Sequence, residues 1–170
     1  HRPEADEYAP FYHKYVSRVP DGDIVELLAS QIEETTGLLS RVTDEQAAYR
    51  YAPGKWSVRE VVGHMTDTER VMAYRAMCVA RGEKAPLPRF DEDAYVANAD
   101  FDSRSMAELI EDFRTARRNS IRLLAPISDE TSVRRGTASE NPVTVRALAY
   151  IIAGHELHHR GLLQERYAVR

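Results

Sequence analysis

Four stretches of this 170-residue chain combine a helix-start signal with apolar residues at helical spacing, and this feature most limits the fold. In a capping box, two side chains three residues apart bond backbone N–H groups near the start of a helix, where these groups would otherwise stay unpaired. The start signals are Asp23 with Glu26, Ser57 with Glu60, Ser105 with Glu108 and, after Asn141-Pro142, Thr144. No segment alternates apolar and polar residues for long enough to predict a β-sheet.

Each signal begins a predicted amphipathic helix, and each such helix has an apolar side that must be buried. The predicted ranges are 24–41, 57–81, 105–126 and 144–167. Four helices of this length can bury their apolar sides against one another in an all-α four-helix bundle. The segment 82–104 between helices 2 and 3 contains Pro86 and Pro88 and is too long for a tight helical hairpin. It predicts a long crossover connection.

The two halves of the chain also resemble each other. Leu38-Leu39 followed by Thr43-Asp44-Glu45 recurs as Leu123-Leu124 followed by Ser128-Asp129-Glu130. Such a repeat in a helical bundle indicates two helical hairpins related by a pseudo-two-fold, joined by the long connection.

Chain length and apolar content predict one domain over residues 1–170, with residues 1–22 as an N-terminal extension. The longest apolar run is far shorter than the roughly 20 residues of a membrane span, and no signal-peptide pattern is present. We therefore expect no membrane insertion. One cysteine, Cys78, permits neither an internal disulfide nor a thiolate metal cage, which favours a cytoplasmic location.

The charge balance argues against a nucleic-acid partner. Lys and Arg number 23 against 27 Asp and Glu, a formal net charge of −4. Binding to a phosphate backbone requires a basic excess, which this chain lacks. The composition leaves the oligomeric state open, with a homodimer among the alternatives.

Two histidines lie in the middle of the apolar side of the fourth predicted helix. His155 and His159 are one turn apart, so both rings can reach a single ion. A buried imidazole is costly unless it is hydrogen-bonded or bound to a metal. The pattern therefore indicates a metal site, and two histidines bonded to carbonyl or carboxylate groups are the alternative.

His64 in the second predicted helix is the third candidate ligand. Counted from the helix starts, His64 occupies a side of its helix that corresponds to the side of His155 and His159. The three rings can therefore converge. Three neutral imidazoles on one side of an ion leave other coordination positions free, as catalytic sites require.

These residues belong to motifs with a family resemblance. The segments Ala52–Glu60, Gly63–Glu69 and Gly154–His159 resemble the DinB-like superfamily, including its YfiT branch of metal-dependent enzymes, and the resemblance extends over residues 23–167. It implies a divalent ion, nickel or zinc, bound by three histidines that correspond to His64, His155 and His159. It also implies transfer of a low-molecular-weight thiol such as bacillithiol or mycothiol. Some members have a further histidine where this chain has Glu69.

Three neighbouring residues have more than one interpretation. Asp67, three residues after His64, is predicted to orient a ligand ring or accept a proton, and a solvated helix aspartate is the alternative. His158 lies at the edge of the apolar side as a candidate base, with a structural role equally open. Arg75 is expected to pair with a loop acid (Asp91, Glu92 or Asp93), although it could instead bind a carboxylate of a thiol cosubstrate.

The sequence thus favours a metal-dependent enzyme that transfers a small thiol to an electrophilic substrate. The predicted residues are His64, His155 and His159 as metal ligands, with Asp67 and His158 as catalytic groups. A metal-dependent hydrolase and a noncatalytic bundle that binds a metal or small ligand are the alternatives.

Overall fold

The computed structural model describes residues 1–170, and most of them lie in α-helices. The helices are α1 (His13–Val16), α2 (Ile24–Leu39), α3 (Asp44–Ala48), α4 (Val58–Ala80), α5 (Glu92–Asn98), α6 (Met106–Leu124), α7 (Asp129–Ser132) and α8 (Val145–Arg166). Strands β1 (Arg135–Ala138) and β2 (Asn141–Thr144) form one antiparallel hairpin.

The four long helices α2, α4, α6 and α8 confirm the predicted bundle. Ser57 and Ser105 both form the complete reciprocal capping box, and Thr144 accepts a hydrogen bond from the backbone N–H of Ala147. The long helices therefore begin where the capping signals placed them. α4 packs against both α6 and α8, and α2 packs against the same two helices.

The two halves of the chain share one order of elements. A long helix, a short helix and a second long helix follow one another as α2–α3–α4 and again as α6–α7–α8. Thr43 and Ser128, which belong to the repeated motif, cap α3 and α7 through their side chains. The internal similarity of the sequence thus corresponds to a repeated succession of helices.

The β-hairpin was not expected. Asn141-Pro142 was predicted to lead into the fourth helix, but these residues begin β2 and pair with Ala138 and Thr137. Ser139 and Glu140 form the turn with positive φ angles of 50° and 66°. Such a turn is normally signalled by Asn-Gly, and strands of four residues are too short to reveal a period of two.

The connection between α4 and α6 is held against the hairpin and the bundle. Leu87 donates its N–H to the carbonyl of Thr137 at 2.9 Å and accepts from the N–H of Ser139 at 3.1 Å. Further along the connection, α5 packs on α4. Phe101 lies so close to Gly63 of α4 that a Cβ there would be 2.5 Å from the ring.

The N-terminal residues pack on α8. Arg2 donates to the carbonyl oxygens of Val16 and Val19, and buried Glu7 accepts hydrogen bonds from Arg146 and Thr144. α1 lies directly against α8, with Tyr15 buried between them. The N-terminal extension therefore covers part of α8.

Gly154 is required for this close approach. A Cβ at position 154 would lie 2.1 Å from the carbonyl oxygen of Tyr15, a backbone atom that no side-chain rotation can move away. We expect Gly154→Ala to reduce the free energy of unfolding by about 1–3 kcal/mol, as overpacking does, although alanine favours helices.

Gly161 on the same helix is the matched control, because a Cβ added at this position would have no atom within 4 Å. Gly161→Ala should stabilise the protein by about 0.5–1 kcal/mol. Urea unfolding of both variants measures the difference, and equal stabilisation of the two would contradict the packing of α1 on α8.

No helix is both long enough and apolar enough to cross a membrane.

Candidate metal centre

α4 and α8 bring three histidine side chains to one point in the bundle. His64 comes from α4, and His155 and His159 come from successive turns of α8. One ring nitrogen of each lies within 4.8 Å of the others, and all three residues are buried. His64 Nε2 and His155 Nε2 are 3.0 Å apart. The convergence expected from the helix positions is therefore present.

An aromatic side chain packs against each of two histidine rings. The Trp56 ring centroid lies 4.7 Å from that of His64, and the Tyr15 centroid lies 5.2 Å from that of His155. Trp56 precedes α4, whereas Tyr15 comes from the N-terminal segment. Nothing in the motifs pointed to Tyr15, because a single buried tyrosine in a short helix has no pattern that identifies it.

The hydrogen-bonding groups of the cluster are incompletely satisfied by protein. His159 Nδ1 is buried without a hydrogen-bond partner, and the Nε2 atoms of His64 and His155 face each other. No carbonyl or carboxylate bonds these three atoms, so the alternative of histidines paired with such groups is not what the structure contains. Ring nitrogens that converge within a few ångströms and bond no carbonyl or carboxylate group fit a divalent ion.

The environment keeps all three imidazoles neutral. Burial, with a smaller effect of nearby His158, lowers the pKa of His64 to about 4. Burial and the neighbouring histidines lower the pKa values of His155 and His159 well below the ordinary value. Neutral imidazoles have a free electron pair, which is the form that binds metal.

This environment predicts that the metal-free protein loses stability in mild acid. The unfolded chain binds a proton at His64 below about pH 6.5, whereas the folded protein resists protonation until about pH 4. The stabilising contribution is complete above pH 6.5 and falls as the pH drops toward 4, by roughly 3 kcal/mol for this histidine. Urea unfolding in a chelator between pH 7 and 5 measures the slope.

His64→Leu is the control for that measurement, since it removes one of the three buried histidines and should make the profile less steep. A wild-type stability that stays constant from pH 7 to 5 would contradict the lowered pKa.

The two predicted catalytic groups lie outside the cluster. His158 is half-buried, with its ring 5.0 Å from His159 and 5.4 Å from Tyr15. Asp67 accepts a hydrogen bond from Arg70 at 3.1 Å, and the structure gives it no contact with the three histidines. His158 therefore lies beside the cluster, whereas Asp67 is paired with Arg70 on its own helix. The catalytic roles of both residues stay predictions.

Arg75 is not paired as expected. It forms no ion pair with Asp91, Glu92 or Asp93, and its Nη2 donates instead to the carbonyl of Pro88 at 2.7 Å and to Ser139 Oγ at 3.0 Å. The expectation failed because the hairpin, which the sequence did not reveal, supplies Ser139 as a partner.

A buried ionic network beside the histidine-bearing turns was also missed. Arg117 of α6 is fully buried and donates to Glu69 at 2.8 Å and to Glu156 at 3.1 Å. Glu69 is thus a partner of Arg117. The available signal was a set of opposite charges on core-facing positions of three helices.

Two cavities reach the cluster from different sides. One of about 60 Å³ is lined by His64, His155, Tyr15 and Arg75 among others. The other, of about 270 Å³, is lined by His159 and by the aromatic residues Tyr51, Trp56 and Tyr167. Different members of the same histidine cluster are therefore accessible from each cavity.

Solved structures show the same fold. YfiT from Bacillus subtilis, described as "a probable metal-dependent hydrolase with an unusual four-helix bundle topology", superposes with a TM-score of 0.73 at 18% identity, covering 100% of this chain and 95% of YfiT. A DinB-like protein from Bacillus subtilis superposes with a TM-score of 0.62 at 21% identity, covering 86% of this chain and 90% of the other.

Sequence comparisons agree with the fold. A protein of Oceanobacillus iheyensis named "Putative metal-dependent hydrolase OB0413" is 26% identical over 76 residues, which are 45% of this chain and 42% of that protein. The chain thus spans about two fifths of the length of this curated relative. The family model of the DinB superfamily matches residues 27–163, which include all three histidines and most of the four long helices. This chain belongs to the DinB superfamily.

Proposed function

We propose that this protein is a metal-dependent enzyme that transfers a small thiol to an electrophilic substrate. The observation that carries the proposal is the convergence of His64, His155 and His159 as neutral imidazoles, with one buried nitrogen left without a partner. A bound nickel or zinc ion would supply Lewis acidity, which lowers the pKa of a thiol or water molecule that reaches it.

Two features suit a thiol as the nucleophile. Neutral ligands leave an ion its full positive charge, so it would bind an anionic sulfur ligand more strongly than an ion held by three carboxylates would. The two cavities give separate approaches to the cluster, which suits a reaction between two molecules. Cys78 lies 14 residues beyond His64 on α4, about 21 Å along the helix, so the sulfur must come from a cosubstrate.

The proposed transfer forms a carbon–sulfur bond and breaks the bond from that carbon to the leaving group. The leaving group departs with its bonding electron pair, and the thiol proton passes to a base or to solvent. His158 is the better placed of the two predicted groups to accept that proton, because it lies beside His159 while Asp67 is held by Arg70. Tyr15 and Trp56 would limit access of water.

The test measures thiol conjugation to 1-chloro-2,4-dinitrobenzene by metal-loaded protein. The thiol panel contains bacillithiol, mycothiol and 2-mercaptoethanol, and chelator-treated protein is the reference. We expect turnover that depends on nickel or zinc, disappears in His155→Ala and persists in His13→Ala, a control that removes an exposed histidine.

Variants of the two predicted catalytic groups separate their roles. His158→Gln and Asp67→Asn should both retain metal, and a loss of rate in one of them identifies the proton acceptor. Folded, metal-loaded protein without metal-dependent turnover for any thiol would contradict the thiol-transfer proposal.

A metal-dependent hydrolase is the second candidate, favoured by the names of YfiT and the Oceanobacillus relative. In that case the same histidines bind the ion and water replaces the thiol as the nucleophile. Metal-dependent hydrolysis of ester or amide substrates, in the absence of thiol transfer, would support it. Metal binding without either reaction would support a noncatalytic bundle.

A further inference from the structure

Arg75 is a buried cation without a carboxylate partner. The residue is only 2% exposed, and its guanidinium forms no ion pair with any Asp or Glu. Its Nη2 bonds two neutral groups, the carbonyl of Pro88 and the hydroxyl of Ser139. Its Nη1 has one hydrogen-bond partner, the Met72 sulfur at 3.8 Å, and a thioether is a weak acceptor. Donor capacity therefore remains at Nη1.

The other fully buried arginine has a different environment. Arg117 bonds two carboxylates, those of Glu69 and Glu156, which offset the cost of removing its charge from water. Arginine is almost never buried unless it is paired, because an uncompensated charge in the interior is costly. Of the two buried arginines, Arg75 is therefore the one that no carboxylate of the protein pairs with.

Arg75 also shares a cavity with two of the histidines. His64, Thr68, Met72 and Arg75 follow one another at helical spacing along one side of α4, and all four line the smaller cavity. The α-carbons of His64 and Arg75 are about 16 Å apart along the axis, and a helix side chain leans toward the N-terminus, which brings the guanidinium back toward His64. His155 lines the same cavity from α8.

We propose that Arg75 binds the carboxylate of a small organic acid whose other end reaches the histidine cluster. Contact between the other end of this acid and the histidines rests on the proposed function, whereas carboxylate binding by Arg75 does not. A guanidinium presents donors in a planar fork that matches a carboxylate. The ligand class is therefore a monocarboxylate, and a thiol or electrophile of the proposed reaction would carry this group.

The rest of the cavity defines the body of the ligand. Phe11, Tyr12 and Phe90 line it, which favours an apolar segment next to the carboxylate. Glu92 lines it as well, and Arg75 offsets its repulsion of a ligand with one negative charge but not of a ligand with two. The volume of about 60 Å³ admits only a small group. A short apolar monocarboxylate satisfies all three conditions, and a phosphate dianion does not.

The test titrates metal-free protein with pentanoate and with pentanamide, a neutral ligand of the same shape. Nuclear magnetic resonance signals of the His64 and His155 rings report whether each ligand enters the cavity. A charge-assisted hydrogen bond to Arg75 should make the carboxylate bind about tenfold or more tightly than the amide. Arg75→Met should reduce this preference to about twofold or less, whereas Arg81→Met, which replaces an exposed arginine at the C-terminal end of α4, should retain it.

Each result decides the proposal without any measurement of turnover. Equal binding of pentanoate and pentanamide by wild-type protein would overturn it, as would a preference that persists in Arg75→Met. Should Arg75→Met fail to fold, Arg75→Lys keeps the charge and must retain part of the preference, and the wild-type comparison still stands. Loss of the proposed thiol transfer would leave these binding results unchanged, so the two failures are distinguishable.

Discussion

Replacing His64, His155 or His159 by alanine is expected to lower the affinity for zinc by about a hundredfold or more in each case. Each ring supplies one nitrogen to the cluster, which has no fourth histidine, cysteine or carboxylate member. Removal of one nitrogen leaves two protein ligands, which hold a divalent ion weakly. Competition with a chromophoric zinc chelator at pH 7.5 measures the affinity.

His13→Ala is the matched control because His13 is exposed and lies outside the cluster. It should retain wild-type affinity. If the alanine variant of one cluster histidine retained full zinc affinity, that histidine would not be a ligand.

Replacing Arg117 by methionine is expected to reduce the free energy of unfolding by about 3–5 kcal/mol. The variant keeps much of the side chain's apolar volume but leaves Glu69 and Glu156 buried without their cation. Burial raises the pKa of Glu156 while Arg117 opposes the rise, so loss of Arg117 would favour protonation of this carboxyl group. Urea unfolding at pH 7 measures the destabilisation.

Arg114→Met on the same helix provides the comparison. Arg114 pairs with Glu111, and both side chains are partly exposed to solvent. Such a pair contributes about 1 kcal/mol or less, so this variant should remain close to wild type. Similar losses in the two variants would contradict a special role for the buried network.

The bundle and the histidine cluster could be predicted from the sequence because their signals are local. Capping boxes at Ser57 and Ser105 depend on residues three apart, and the positions of His155 and His159 follow from one helix period. Prediction of His64 as the third ligand also required a comparison of its position on α4 with the positions of His155 and His159 on α8. These signals do not depend on contacts with distant parts of the chain.

The features that could not be predicted from the sequence depend on contacts between segments that are distant in the chain. Tyr15 approaches His155 only because Gly154 permits the N-terminal segment to lie against α8. Arg75 bonds Ser139 in the turn of the hairpin, and this turn contains no glycine that would reveal the hairpin in the sequence. Arg117 meets two carboxylates from two other helices, and no spacing within one helix reveals such a network.

X-ray absorption at the zinc edge, on protein loaded with one equivalent of zinc, tests the central claim most directly. The structure predicts scattering from three imidazoles with zinc–nitrogen distances of about 2.0–2.1 Å. His159→Ala should lose one imidazole from that pattern or release the ion. A spectrum dominated by sulfur, or by oxygen with fewer than two imidazoles, would contradict a metal centre built from His64, His155 and His159.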